Sequence, residues 1–433
     1  MTADPARAAA AEARRPSVAV IGAGVSGLTA GYLLTRTHDV TVFEAEPRLG
    51  GHANTRDVTD AAGDAHAVDT GFIVHNDVTY PYLRRLFAEL GVEVQPTEMS
   101  MSVACEECGL EYAGGRGPRG VFAQPRRAVD ARFARLLAEV RRFHRAARDF
   151  LQTGRDDDVT TYGDFLRDRE FDGYFIGHYA VPVVSCVWSS GGADALDYPA
   201  RYLFAFLEHH GMLRIGGSPQ WYSVVGGSRS YVERLATTLA DVRTTRAVTD
   251  VWRRTSGVEI RDTSGTTSRF DRVVIATHAD QALALLADPT DAEVTTLKSF
   301  RYSENSTVLH TDERLLPKAR GARASWNYRM LRCDPAGQPV IVSYWMNKLQ
   351  RLRSQQQFLV SLNDAARIDR ESVVESMTYE HPVYTPDAVR AQRGLAGLAT
   401  DRTVYAGAYH GWGFHEDGCR SGVMAARQFG VTW

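Results

Sequence analysis

The sequence predicts an α/β fold. One domain is expected on a parallel sheet, beside a second, α+β region. Three observations carry this reading. Residues 18–51, VAVIGAGVSGLTAGYLLTRTHDVTVFEAEPRLGG, run strand, glycine turn, helix, strand and acid, the order of a βαβ unit. Residues 269–277, RFDRVVIAT, read as a buried strand leading to a helix. Residues 403–433 add a further strand, a glycine-rich turn and a helix expected to start near Gly418. At 433 residues the chain exceeds one ordinary core, so two or three domains are expected.

In the first unit each residue has a chemical reason. The strand Val18 to Ile21 runs into Gly22-x-Gly24-x-x-Gly27. Gly22 permits the tight turn, Gly24 admits a pyrophosphate close to the backbone, and Gly27 lets the helix pack on the sheet. The helix N-terminus adds unpaired N–H groups and a partial positive charge. The second strand, Val40 to Phe43, ends at Glu44, about 20 residues beyond the turn, where a carboxylate accepts from a ribose hydroxyl. The full context points to a dinucleotide site. The plainer reading is an ordinary βαβ unit with a solvated Glu44. The motif alone does not choose between NAD and FAD.

Further along, His66 to Phe72 reads as a strand closing on a glycine turn. Tyr82, Leu83, Leu86, Phe87 and Leu90 line one helix face, which Gly91 ends. Residues 111–120, rich in Gly and Arg, read as a loop. From about Val129 to Leu151, Phe133, Leu136, Leu137, Val140, Phe143, Ala147, Phe150 and Leu151 make an apolar helix stripe. Eight arginines between Arg126 and Arg148 crowd the remaining surface, which is either a solvated face or a face for anionic lipid headgroups. Residues 173–215 are aromatic and apolar, suited to a plain core or to a large pocket. His209 and His210 are adjacent, so they do not share a helix face as metal ligands would. Ser228 is placed to cap a helix over 228–240. Residues 245–260 read as short strands, and 299–390 as a second, mostly antiparallel sheet with helices.

Composition is that of a globular protein, with 44% hydrophobic and 24% charged residues. The net charge of −2 gives no case for nucleic acid. Only Lys298, Lys318 and Lys348 are lysines, which limits any catalytic lysine. Cys105 and Cys108 form C-x-x-C, but no second pair follows at zinc spacing. A surface turn with two free thiols is therefore expected, with a redox pair as the alternative, and no metal site. Residues 1–16 have no apolar leader segment and read as a loose tail. No run approaches the roughly 18 apolar residues of a membrane span. Reduced thiols point to the cytoplasm, with peripheral membrane contact the alternative.

After Glu44 the chain continues E-x-x-x-R-x-G-G through Arg48, Gly50 and Gly51, and here it resembles the flavin amine oxidase superfamily. The resemblance implies a FAD-binding Rossmann-like domain with a substrate or cap domain, as in monoamine oxidases. It implies that Arg48, Gly50 and Gly51 lie along the ADP half of FAD, and that Val248 contributes a backbone contact to adenine. Where many members have Arg after the glycine pair, this chain has His52. It further implies that Gly407, Gly413, Phe414, His415 and Glu416 flank the flavin, under a helix N-terminus that favours negative charge on it. Ala408 stands where many relatives carry a Glu for the ribityl chain. No Cys occupies the flavin-linking place, so FAD is expected to be non-covalent.

Four blocks sharpen the match: GFIVHNDVTYPYLRRLFAELGVEV, GSPQWYSVVGGSRSYVERL, VSYWMNKLQRL and AYHGWGFHEDGCRSGVMAA. Together they resemble the amine-oxidase-like domain of plant cyclopropane fatty acid synthases and its stand-alone bacterial relatives, over about residues 17–428. More distantly the chain is similar to bacterial polyunsaturated fatty acid isomerases. The resemblance places FAD-binding segments at 17–95, 224–298 and 396–433, and the cap and substrate domain at 96–223 and 299–395. It implies a FAD-dependent oxidoreductase that desaturates or oxidises an acyl chain or other apolar substrate, with oxygen, a quinone or a carrier protein as electron acceptor. Alternatives are a redox-neutral double-bond isomerase, an amine oxidase, and a non-catalytic flavoprotein partner of a lipid methyltransferase. No lysine occupies a recognisable amine oxidase position, Lys348 being nearest. His415, then His75 and Glu416, are the candidates for proton transfer, because His titrates near neutrality. Each also has a structural reading: His415 fixing its loop, Glu416 a helix-terminal charge, His75 a turn.

Overall fold

The computed structural model describes residues 14–153, 159–214, 216–335 and 337–433. Most of the expected N-terminal tail, 1–13, lies outside the described residues. Within the rest of it, Arg14 pairs with Asp271 at 2.7 Å and Arg15 donates to the His38 carbonyl at 3.0 Å.

Five parallel strands form the nucleotide-domain sheet, ordered Asp241–Arg243, Asp39–Phe43, Ser17–Ile21, Arg272–Ile275, Thr403–Tyr405. The central strand is buried from Val18 to Ile21. Burial on both faces explains its unbroken apolar run, where a half-exposed strand would alternate. The sheet draws on residues near 20, 40, 242, 273 and 404, so it is discontinuous in sequence. The first helix, Val25–Leu34, and the C-terminal helix, His415–Gln428, pack against each other on this sheet. Their axes approach closely because a Cβ at Gly422 would lie 2.4 Å from the Ser26 carbonyl oxygen. The C-terminal helix starts at His415 rather than near Gly418, because the Asp417 carboxylate reaches back to accept the Phe414 N–H at 3.1 Å.

The second domain is built on a seven-stranded sheet, ordered Val373–Val383, Arg301–His310, Leu359–Leu362, Val342–Trp345, Trp326–Met330, Met101–Cys105, Glu111–Gly114. It is antiparallel except where Trp326–Met330 runs parallel to Met101–Cys105. The expected loop at 111–120 is thus corrected. Glu111–Gly114 pairs with 101–104, and Gly117–Val121 is a short helix. The C-x-x-C pair does form a turn with free thiols, but not wholly at the surface. Cys105 is buried at the end of its strand, and His178 and Cys333, distant in sequence, close around the pair.

Helices over 131–209 cover this sheet. In the long helix, Ala131–Thr153, Phe133, Leu136, Phe143 and Ala147 are buried in an aromatic core with Tyr162, Phe165, Phe175 and Phe204. Its stripe therefore faces inward. Several of its arginines are engaged within the protein: Arg135 with Asp172 at 3.2 Å, Arg142 with Glu139 at 2.6 Å, and Arg132 over the Tyr174 ring at 3.9 Å. No helix among the described residues is long and apolar enough to cross a membrane.

Candidate active site

The carboxyl ends of the parallel strands meet along one edge, the place where open α/β sheets hold ligands. Four segments arrive there: the glycine turn after Ile21, Glu44 after Phe43, Thr277–His278 after Ile275, and Gly407–His410 after Tyr405. A Cβ at Gly27 would sit 1.9 Å from the Gly22 carbonyl oxygen, so the turn requires glycine there. At Gly24 a Cβ would meet nothing within 4 Å, and the backbone faces open space.

Glu44 is tied to this turn. It accepts the Ala23 N–H at 2.8 Å and the Glu46 N–H at 2.9 Å. The Arg246 N–H reaches the Glu44 carbonyl at 2.8 Å, which brings the start of the strand at Val248 beside the acid. The glycine pair lies against the same turn: Gly50 bridges to Gly24 and donates to the Ala23 carbonyl at 2.8 Å. Arg48 donates to the Gly51 carbonyl at 2.8 Å and pairs with Glu46, which fixes the loop. Gly22, Gly24, Gly27, Glu44, Arg48, Gly50, Gly51 and Val248, scattered over 226 positions of sequence, therefore converge.

The C-terminal segment forms the other wall. Gly413 takes a left-handed φ of 91°, and a Cβ there would lie 2.9 Å from the Tyr384 hydroxyl. Phe414 stacks on Phe206 with ring centroids 4.8 Å apart, beside Trp188. His415 lies flat on Phe72 at 3.8 Å, its Nε2 2.9 Å from the Tyr231 hydroxyl. Burial, then the nearby His75, pushes its pKa down to about 3, so the imidazole is neutral at ordinary pH. His75 is buried among Tyr80, Phe87 and Tyr222, and desolvation lowers it to about 4. Glu416 accepts the Tyr82 and Leu83 N–H groups, each at 2.9 Å, and so caps the helix Pro81–Leu90. Burial raises its pKa to about 7 against those two bonds.

Residues that the sequence reading did not select also line this region. His52 sits 5.0 Å from the Tyr379 ring and 5.5 Å from His381. His278 stacks on Tyr302 at 4.2 Å and approaches Glu380 at 3.1 Å. His381 Nδ1 is 3.0 Å from the Asn305 amide. Desolvation lowers all three histidines, His381 to about 4, so they are neutral donors or acceptors rather than cations. His278 had a signal in the sequence, since it directly follows a parallel strand. Lys348 is committed to Glu98 at 2.5 Å.

A dinucleotide fits the residues present. The Gly24 backbone faces open space, and a cluster of buried polar atoms in 409–412 finds no hydrogen-bond partner among the described residues: Tyr409 Oη, His410 Nε2 and Trp412 Nε1.

Comparison with known proteins agrees. The sequence profile of a family described as flavin containing amine oxidoreductase matches residues 25–429. A fatty acid isomerase of P. acnes has a similar structure, with TM-score 0.67 and 16% identity, over 96% of this chain and 99% of that one. Cyclohexylamine oxidase from Brevibacterium oxydans aligns with TM-score 0.67 and 15% identity, over 95% and 98%. A putrescine oxidase variant gives TM-score 0.67 and 14% identity, over 96% and 99%. Tryptophan 2-monooxygenase of Allorhizobium ampelinum is 54% identical over 46 residues, which are 10% of this chain and 6% of that protein.

Proposed function

The chain belongs to the flavin containing amine oxidoreductase family and is a FAD-dependent oxidoreductase, and on that premise we propose that it withdraws a hydride from an apolar, acyl-chain-like substrate. The observation that carries this reading is the aromatic wall around Phe414. Phe206 and Trp188 pack on it, Trp412 packs on Phe206 and Tyr202 on Trp412, and the two nearby carboxylates are already engaged. Glu416 holds two backbone N–H groups, and Asp417 holds the Phe414 N–H and Arg420. With both carboxylates engaged, the wall offers a protonated amine only the aromatic faces, whereas an alkyl chain needs only apolar surface.

When bound, FAD supplies the hydride acceptor. The chain's own residues bind, orient and exclude water. The glycine turn and Glu44 hold the nucleotide end. The aromatic wall positions the reacting carbon and keeps water away. His415 is held between Phe72 and the Tyr231 hydroxyl beside this wall. The resemblance to the domain fused to plant cyclopropane fatty acid synthases supports a lipid-derived substrate. The same wall serves a redox-neutral isomerase, a reading supported by the fold shared with the P. acnes isomerase.

The test is anaerobic. Yellow holoprotein is mixed with unsaturated and methyl-branched fatty acids, with membrane lipids, and separately with putrescine and cyclohexylamine. Bleaching by a lipid with a two-hydrogen mass loss in the product is the expected outcome. A persistent yellow colour with a product of unchanged mass identifies the isomerase. Bleaching by an amine alone overturns the proposal.

A further inference from the structure

Far from the nucleotide crevice in sequence, four ligating side chains converge on one point. The Cys105, Cys108 and Cys333 sulfurs and a His178 ring nitrogen all lie within 4.8 Å of one another. We propose that they form a structural Cys3His zinc site that staples the helical cap to the edge of the seven-stranded sheet.

The distances suit the ion. Tetrahedral zinc with Zn–S of about 2.3 Å and Zn–N of about 2.0 Å needs sulfurs about 3.8 Å apart and S···N separations of about 3.5 Å. Cys105 Sγ and Cys333 Sγ are 3.8 Å apart, and Cys108 Sγ is 3.4 Å from His178 Nε2. All five cysteines of the chain are free thiols, and the Cys105 and Cys333 sulfurs, 3.8 Å apart, are not bonded to each other.

The supporting atoms point the same way. Cys105-Glu106-Glu107-Cys108-Gly109 turns the hairpin between Met101–Cys105 and Glu111–Gly114, and Gly109 takes a left-handed φ of 64°. His178 stands in a π-helical turn, Ile176–Ala180, and its Nδ1 donates to the Tyr174 carbonyl at 2.9 Å. A carbonyl can only accept, so that bond puts the proton on Nδ1 and leaves the Nε2 lone pair facing the sulfurs. Gly177 lets the helix come this close, since a Cβ there would lie 2.4 Å from the Cys333 carbonyl oxygen. Binding Zn²⁺ releases three thiol protons and leaves the site with net charge −1. Arg127, which donates to the Cys108 carbonyl at 2.9 Å, and Arg132, over Tyr174, place positive charge beside it.

A closed four-ligand set leaves no open position for substrate or water, so its role is architectural. It joins a hairpin, a cap helix and the chain after strand Trp326–Met330, three pieces separated by up to 228 residues. The assignment does not rest on the proposed substrate.

The experiment is elemental analysis of the purified holoprotein, with thiol counting and Co²⁺ substitution. One zinc per chain is expected, as are intense thiolate-to-cobalt and tetrahedral bands after exchange. Cys333→Ser and His178→Asn are expected to weaken zinc binding at least tenfold while the protein stays yellow. Should these variants fail to fold, the wild-type cobalt spectrum decides alone. Metal-free protein that takes up no Co²⁺ after reduction would overturn the site. So would a disulfide among these cysteines, iron in place of zinc, or full zinc retention in either variant.

Discussion

Glu416, a candidate for proton transfer in the sequence, holds two backbone N–H groups in the structure. Its position beside the candidate flavin-facing segment could be read from the sequence. Its carboxylate, however, serves the N–H groups of Tyr82 and Leu83, more than 330 residues away in sequence. No local pattern encodes that contact. Glu416→Gln removes one of the two acceptors and the charge facing a helix N-terminus. It is expected to cost about 1–3 kcal/mol, read as a lower melting temperature with FAD retained. An unchanged melting temperature would deny the capping role. Glu44 was the more legible acid, because strand, turn and spacing together fix where its side chain must point. Glu44→Ala strips the Ala23 N–H of its acceptor and is expected to weaken FAD retention about tenfold or more, equivalent to about 1.4 kcal/mol. Flavin loss on gel filtration measures it, and full retention would remove Glu44 from the site.

Among the elements, legibility followed periodicity. The long helix Ala131–Thr153 declared its apolar stripe, and the structure turns that stripe into the cap. Phe143 touches seven other aromatic rings there and is fully buried. Phe143→Ala is expected to cost about 3–5 kcal/mol, visible in denaturant unfolding as a lower midpoint. A loss under about 1 kcal/mol would mean that the cap core is loosely packed. The hairpin at 101–114 was illegible for the opposite reason. Glu111-Tyr-Ala-Gly is too short to show alternation, and its pairing with 101–104 together with the cysteine-bearing turn is what makes it a strand. Cys333 and His178 carried no motif of their own, and only the fold brings them to Cys105 and Cys108.

Taken as a whole, the molecule buries many ionisable groups, and they oppose each other with pH. His75, His144, His210, His310, His381 and His410 are lowered by desolvation to about 4, and His415 to about 3. Unfolded, each binds a proton near pH 6.5. Between pH 6.5 and 4 the unfolded state thus holds more of these protons, and stability falls as pH falls. Asp69 and Asp417, raised to about 6, and Glu416, raised to about 7, act the other way over the same range. The histidines outnumber them, so the melting temperature is expected to peak near pH 6.5 and drop toward pH 4. A melting temperature that climbs steadily toward pH 4 would contradict the burial of these imidazoles.

The order of the parallel strands has a consequence for how the protein is made. Its centre, Ser17–Ile21, is translated first, and its edge strand, Thr403–Tyr405, about 380 residues later. At about 5–20 residues per second, the glycine turn waits roughly 20–80 s on the ribosome for its last wall. Until then the apolar flanks of Val18, Val20 and Val274 lack the helix His415–Gln428 that covers them. The nucleotide crevice is therefore complete only once the C-terminal strand and helix have been made.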